Sequence, residues 1–155
     1  MRIRLVSAGT RLPGWVNEGY AEYAKRLSGY RFELIEIPAP RRAGLADIAR
    51  AVANEGRRML EVIGMRDYVV ALEVIGRAMT TPELARWLEA RLADGRDLAF
   101  VIGGPDGLSS EVLKRADFRW SLSPLTWPHG LARIMVAEQL YRAESLRKGH
   151  PYHRS

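Results

Sequence analysis

Two loops of this chain have the residue types of a small-molecule pocket. The run 103–107 reads Gly-Gly-Pro-Asp-Gly and follows an apolar segment, so its glycines permit positive φ and let a ligand approach the backbone closely. The run 122–129 carries no Asp, Glu, Lys or Arg, and two prolines interrupt it. Each run by itself is explained as an ordinary turn or an apolar connection. The two together predict a pocket for a neutral, flat group.

A second set of polar residues lies near the C-terminal end. Glu138 and Arg142 are four residues apart in a helical pattern, so they face the same side and can form an ion pair. The segment 147–154 is basic and aromatic, a mixture suited to phosphate contacts and base stacking. An ordinary partly buried pair and a frayed terminus are the alternative interpretations.

The elements that position these residues alternate between strand and helix. This order predicts right-handed crossovers and a mainly parallel α/β sheet covered by helices on both faces. Ligands bind such sheets beyond the carboxyl ends of the strands, where the two loops would lie. The basic segment Pro40–Arg42 is predicted as a loop. Strands are predicted at 2–8, 32–37, 68–72, 98–102 and 118–122, and helices at 13–28, 45–63, 81–94, 109–116 and 128–148.

Composition limits the class of protein. The chain has 155 residues, 47% of them hydrophobic, which fits one domain over residues 1–155. The formal net charge of +6 favours a polyanionic partner such as nucleic acid, although charge for solubility alone explains it equally well. No apolar segment predicts export or membrane insertion, so a cytoplasmic location is expected.

Several kinds of site are excluded or disfavoured. The absence of cysteine excludes disulfides, thiolate nucleophiles and cysteine-based metal sites. Three histidines without a nearby carboxylate pair make a poor metal site, so no metal is expected. A dinucleotide fold is disfavoured because no Gly-x-Gly-x-x-Gly follows the first strand.

The motifs in combination resemble the RlmH family of 23S rRNA pseudouridine-N3 methyltransferases, which belongs to the SPOUT superfamily. The resemblance runs from the first strand to the last residues, at similar length. The segments that carry it are Phe32–Pro38, Ile102–Ser109, Trp120–Ser123, Leu125–Thr126, Pro128–His129, Ala137–Glu138, Leu140–Ala143 and His150–Arg154.

The resemblance implies an architecture and partners that composition does not show. It implies the SPOUT-type α/β fold with a C-terminal trefoil knot within about residues 70–155, and S-adenosylmethionine held in a bent shape by the loops of the knot. It also implies a homodimer and, as substrate, large-subunit rRNA within the assembled ribosome.

Site residues are carried over from the resemblance position by position. Arg142 suits stabilisation of an anion at N3, and either Glu138 or His153 accepts the proton. Trp127 and Gly130 depart from the family pattern in residue size, which affects pocket shape. The implied cofactor residues are Leu72, Gly103, Gly104, Leu122, Ser123, Pro124, Leu125, Thr126 and Trp127, and the implied RNA contacts are His129, Arg133, Tyr152 and Arg154.

Two rival functions remain open. One is a methyltransferase of the same fold with another RNA target. The other is a catalytically silent factor that binds the ribosome. The intact glycine turn and C-terminal segment favour the enzyme.

Overall fold

The computed structural model describes residues 1–39 and 44–154. All ten predicted elements are present in the predicted order, and a short 3-10 turn follows them. The predicted loop at Pro40–Arg42 lies outside the described residues. The elements are β1 (Arg2–Ala8), α1 (Gly14–Ala24), β2 (Arg31–Ile37), α2 (Leu45–Val62), β3 (Tyr68–Ala78), α3 (Thr81–Asp94), β4 (Leu98–Ile102), α4 (Ser110–Arg115), β5 (Phe118–Ser121), α5 (His129–Arg147) and the 3-10 turn (Pro151–Arg154).

The five strands form one sheet in the order β2-β1-β4-β3-β5, and each neighbouring pair is parallel. Every residue of β4 is buried, as expected for a continuously apolar strand covered on both faces. The prediction of a parallel α/β sheet is confirmed.

Helices cover both faces of the sheet. On one face, Phe100 and Leu5 pack with Leu88 of α3 and Leu140 of α5. On the other face, the β-strand residues pack against α2 and α4, for example through Met59. The alternation of side chains along β1 and β4 supplies both layers, because successive residues of a strand point to opposite faces.

β3 is longer than predicted. Leu72 and Arg77 both pair with Trp120 of β5, so the four residues between them bulge out of the strand. Two of the residues in the bulge, Val74 and Ile75, are exposed. A bulge interrupts the two-residue period from which strands are predicted, which explains why the prediction stops at Leu72.

α5 is enclosed by its own chain along most of its length. The sheet covers Val136 and Leu140, and α1 and α3 pack along its sides. The apolar circumference of this helix is therefore explained within one chain, and by itself it no longer indicates a second subunit. A half-buried face remains, formed by Leu131, Met135, Glu138 and Arg142.

Candidate functional site

A cleft of about 830 Å³ lies where the chain leaves the carboxyl ends of β4 and β5, beside the bulge of β3. This volume is within the range of small-molecule sites. The predicted pocket is present at the predicted edge of the sheet. The cleft is lined by the β3 bulge (72–75), the glycine turn (102–108), the loop after β5 (122, 123 and 125–128), and His129 and Ala132 of α5.

The glycine turn forms one wall, and its shape explains its sequence. A Cβ atom at Gly103 would lie 2.6 Å from the backbone carbon of Gly107, which leaves no room for a side chain. Gly107 has φ +81°, and its amide donates to the Gly104 carbonyl over 3.1 Å. Gly103 is thus required by the turn's own backbone, and positive φ occurs at Gly107 rather than at Gly103 or Gly104.

The loop after β5 forms the opposite wall and is shaped by two serines. The Ser121 hydroxyl donates to the Ser123 carbonyl over 2.9 Å, and the Ser123 hydroxyl accepts from the Leu125 amide over 3.0 Å. Pro124 is exposed and does not line the cleft, because the turn directs it outward. The other eight residues expected at the cofactor line the cleft together: Leu72, Gly103, Gly104, Leu122, Ser123, Leu125, Thr126 and Trp127.

Trp127 joins this wall to the core. Its ring packs against the core cluster that includes Phe100 and Trp120, while part of the side chain lines the cleft. Its Nε1 is buried and has no hydrogen-bond partner within the part of the chain that the structure describes. The indole N–H group is therefore not accessible from the cleft.

The sequence did not identify Glu73, which also lines the cleft. This residue opens the β3 bulge, and its Oε2 is buried without a hydrogen bond from any described residue. The Arg119 Nη1 atom lies 3.7 Å from it, an ion-pair distance. The one sequence signal was its position as the first charged residue after the apolar run that ends at Leu72.

His129, which the resemblance implies as an RNA contact, begins α5 and lines the cleft. Its imidazole lies close to the end of β1: a Cβ atom built on Gly9 would be 3.0 Å from His129 Nε2.

Arg133, expected to contact RNA, is instead fully buried. Its Nη1 donates to the Glu36 carboxylate over 2.7 Å, its Nε to the Ser7 hydroxyl over 2.9 Å, and its Nη2 to the Gly9 carbonyl over 2.7 Å. We therefore correct that prediction, because a guanidinium with these partners ties α5 to the ends of β1 and β2. The helical period placed Arg133 on the inner side of α5, one residue from buried Ala132.

Three more predicted polar residues meet beside the C-terminal half of α5. Arg142 donates to Glu138 Oε1 twice, from Nη2 over 2.6 Å and from Nε over 2.9 Å. Tyr152 of the 3-10 turn donates its hydroxyl to the same carboxylate oxygen over 3.1 Å, and its ring lies under the Arg142 guanidinium at 5.0 Å. The predicted Glu138–Arg142 pair is confirmed.

α1 and the turn that follows it contribute residues to this group that the sequence did not indicate. The Tyr152 ring packs against Tyr141 with centroids 4.6 Å apart. The Arg26 guanidinium lies 5.5–5.9 Å from the ring centroids of Tyr23, Tyr141 and Tyr152. We call Tyr23, Arg26, Glu138, Tyr141, Arg142 and Tyr152 the tail cluster.

Electrostatic interactions in the tail cluster raise the pKa values of Tyr152 and Arg142. Burial and then the Glu138 charge raise the pKa of Tyr152 to about 12. The hydrogen bond from Arg142 to Glu138 raises the pKa of Arg142 above its ordinary value. At neutral pH, Tyr152 is therefore a hydroxyl donor and Arg142 a cation.

The last two predicted residues lie in the 3-10 turn. His153 Nδ1 is 2.6 Å from the His150 carbonyl oxygen, to which it donates in the Nδ1–H tautomer, and Arg154 is exposed.

The cleft and the tail cluster are far apart along α5. Glu138 and Arg142 follow His129 by nine and thirteen residues. At 1.5 Å per residue these intervals are roughly 14 and 20 Å. One chain therefore does not bring its predicted cofactor residues together with Glu138 and Arg142.

Two features are absent from the described residues, a membrane-spanning helix and a metal-binding group. No helix within residues 1–39 and 44–154 is long and apolar enough to cross a membrane. In the same residues, no group of three or more His, Asp or Glu side chains is arranged to hold a metal ion.

Comparison with known proteins gives concordant matches. The family model described as "Predicted SPOUT methyltransferase" matches residues 1–153. A protein of Alkalilimnicola ehrlichii named "Ribosomal RNA large subunit methyltransferase H" is 60% identical, with 100% of both chains covered. A protein of the same name from Thioalkalivibrio sulfidiphilus is 54% identical, with 99% of both covered.

Solved structures support the fold. A probable methylase family protein from Haemophilus influenzae superposes with a TM-score of 0.56 at 17% identity, covering 97% of this chain and 69% of that one. A probable rRNA-methyltransferase from Porphyromonas gingivalis gives 0.51 at 13% identity, covering 94% and 68%.

Proposed function

Because this chain belongs to the SPOUT methyltransferase family, we propose that it methylates N3 of a pseudouridine in 23S rRNA, with S-adenosylmethionine as the methyl donor. One observation carries the proposal: the chain presents a small-molecule cleft and, separately, a pre-formed Glu138–Arg142–Tyr152 group. The full-length relatives named as large-subunit rRNA methyltransferases support this choice of RNA.

The residues of the cleft fit S-adenosylmethionine. Leu72, Leu122 and the ring carbons of Trp127 offer apolar contact to a flat base, while the glycine turn and the loop after β5 offer backbone N–H and C=O groups. When bound, the cofactor supplies an electrophilic methyl group on a positively charged sulfur.

The tail cluster fits the RNA side of the reaction. N3 of pseudouridine carries a proton, so its lone pair attacks the methyl group as that proton leaves. Arg142 stays protonated and stabilises the negative charge that develops on the base as the N3 proton leaves. Tyr152 holds Glu138 in place through its hydroxyl. Either the Glu138 carboxylate or the His153 imidazole accepts the proton.

The separation of the two regions supports a homodimer in which each reaction site is shared. With roughly 14–20 Å between His129 and the Glu138–Arg142 pair along α5, the cleft of one subunit would be completed by the tail cluster of the other. The half-buried face of α5 carries Glu138 and Arg142 toward such a partner. Exposed apolar residues at the cleft, Ile75 (83%) and Leu125 (66%), offer further contact area.

The charge of the chain supports an assembled ribosome as the substrate. A single domain of 155 residues leaves little surface for RNA recognition, so the net +6 of each subunit and the basic C-terminal segments must act together. This substrate also supports a cytoplasmic location.

A subunit-mixing experiment tests the proposal. One variant, Thr126→Trp, fills the cleft from an exposed lining position, and the other, Arg142→Ala, removes the cation of the tail cluster. Each is assayed alone and after mixing under conditions that exchange subunits, with ribosomes from cells lacking the modification. Random exchange makes half of all dimers heterodimers. In each heterodimer one of the two shared sites carries neither substitution and the other carries both, so activity should recover to about a quarter of wild type.

The controls separate the alternatives. Mixing each variant with itself should restore nothing, and size measurement should show dimers throughout. No recovery in the mixture would contradict shared sites. Mapping of the methylated nucleotide by mass spectrometry distinguishes another RNA target. Wild-type protein that binds ribosomes without methylating them would instead be a binding factor.

A further inference from the structure

The cleft differs in charge from the rest of this basic chain. The chain carries a formal net charge of +6. Among the described residues that line the cleft, however, none is Lys or Arg, and two are the carboxylates Glu73 and Asp106. A carboxylate beside a binding site favours a cationic ligand over a neutral one of the same shape, most strongly where the dielectric is low.

Glu73 is the better defined of the two carboxylates. Its side chain is 22% exposed, and its Oε2 is buried without a hydrogen bond from a described residue. The Arg119 guanidinium is 3.7 Å away, beyond hydrogen-bond distance, and is itself 48% exposed. Solvent screens such a pair strongly, so Arg119 offsets only part of the negative potential that Glu73 contributes to the cleft.

Trp127 adds a second feature that favours a cation. Trp127 lines the cleft and its Nε1 is buried, so any part of the indole that a ligand contacts there is aromatic carbon. The face of an aromatic ring carries negative electrostatic potential and attracts cations, including those of ligands.

We infer that Glu73, with the Trp127 ring, makes the cleft prefer S-adenosylmethionine over S-adenosylhomocysteine; this inference rests on the proposed function. Transfer breaks the bond between the methyl group and the sulfonium sulfur and forms the bond from that methyl to N3, whose proton goes to the base. The sulfur leaves the reaction as a neutral thioether. The cleft therefore holds the charged donor more tightly than the spent product, which aids product release.

Calorimetric binding tests this selectivity without any turnover. The dissociation constants of S-adenosylmethionine and S-adenosylhomocysteine are measured for wild type and for Glu73→Gln, which removes the charge at nearly constant shape. The preference for the sulfonium compound should fall about 3- to 10-fold in Glu73→Gln, as expected for one charge acting through a partly solvated cleft. Arg119→Gln should change the preference in the opposite direction.

Glu89→Gln is the matched control, because Glu89 is exposed on α3 away from the cleft and the net charge changes equally. It should leave the preference unchanged. In wild type, the preference should weaken as salt is raised, a measurement that needs no variant. An equal preference in Glu73→Gln and wild type, or one insensitive to salt, would overturn the inference alone. Failure of wild type to bind either compound would overturn the proposed function as well.

Discussion

The cleft lies at the N-terminal end of α5 and the tail cluster beside its C-terminal half, and the two regions differ in nearly every physical respect. The cleft is formed by loops, is largely apolar and has Glu73 and Asp106 as its carboxylates. The tail cluster is formed by helices and the 3-10 turn, and its arginines are packed on tyrosine rings. The region proposed to bind the cofactor and the region proposed to contact RNA are thus separated by roughly 14–20 Å along α5.

The largest effect is expected at Arg133, which lies between the two regions. Arg133→Met leaves the Glu36 carboxylate and two strand-end carbonyls without their donor, so the free energy of unfolding should fall by about 3–5 kcal/mol. Urea unfolding measures the loss. Because Glu36 is partly exposed, Glu36→Gln should cost far less. Equal losses in the two variants would show that the salt bridge, rather than the whole network, stabilises α5.

Arg142→Ala tests whether the tail cluster acts in methylation without affecting cofactor binding in the cleft. Methylation of ribosomes should fall about 100- to 1,000-fold, the range for losing a charge-stabilising donor, while the dissociation constant for S-adenosylmethionine changes less than about twofold. Arg57→Ala, at an exposed position on α2, serves as the control for lost positive charge. Equal loss of cofactor binding in Arg142→Ala would refute the independence of cleft and tail cluster within one subunit.

Next in size is a pH-dependent effect near the tail cluster. Burial opposes ionisation of Glu144, but hydrogen bonds from Arg147, Tyr30 and Lys148 outweigh it and lower its pKa from 4.5 to about 2. A lowered folded-state pKa stabilises the protein above the unfolded-state value, and this contribution disappears as pH falls from about 4.5 to 2.

Glu144→Gln should therefore lower the free energy of unfolding by about 2–3 kcal/mol at pH 7 and by little at pH 2. Denaturant unfolding at several pH values measures the difference. The same change at exposed Glu61 should have little effect at any pH. A loss at Glu144 that is constant across pH would point to packing rather than charge.

The smallest effect is expected at Trp127. Trp127→Leu removes ring packing but also an indole N–H that lacks a partner among the described residues, and these terms oppose each other. The free energy of unfolding should change by about 1 kcal/mol or less. Thermal unfolding and calorimetric cofactor binding would check this. A loss of cofactor binding beyond about tenfold would show that the ring contributes more to the cleft than packing.

Local pattern was sufficient for most of the fold. The alternation along β1 and the continuous apolar run of β4 predicted parallel strands, and both are present. Thr80 and Glu83 have the spacing of a capping box at the start of the predicted helix 81–94, and both of its hydrogen bonds are formed at α3. The β3 bulge was missed because its register depends on pairing with Trp120, nearly fifty residues away.

The candidate site was predicted unevenly. The cofactor residues that line the cleft follow from the resemblance, but Pro124 does not belong with them, because a serine hydrogen bond turns it outward. Arg133 was misassigned because a charged residue on a helix is usually exposed, and only its buried partners reveal otherwise. The trefoil knot, the homodimer and the roles of Glu138 and His153 stay predictions.

By itself, the sequence determined the order of elements, the parallel sheet and the family, because these depend on periodicity and on motifs that are local in the chain. The tertiary structure alone decided that Glu73 lines the cleft, that buried Arg133 joins α5 to the ends of β1 and β2, and that Arg26, two residues after α1, completes the tail cluster. Those outcomes depend on which distant segments pack together. Burial and electrostatic environment are properties of that packing, and no local pattern contains them.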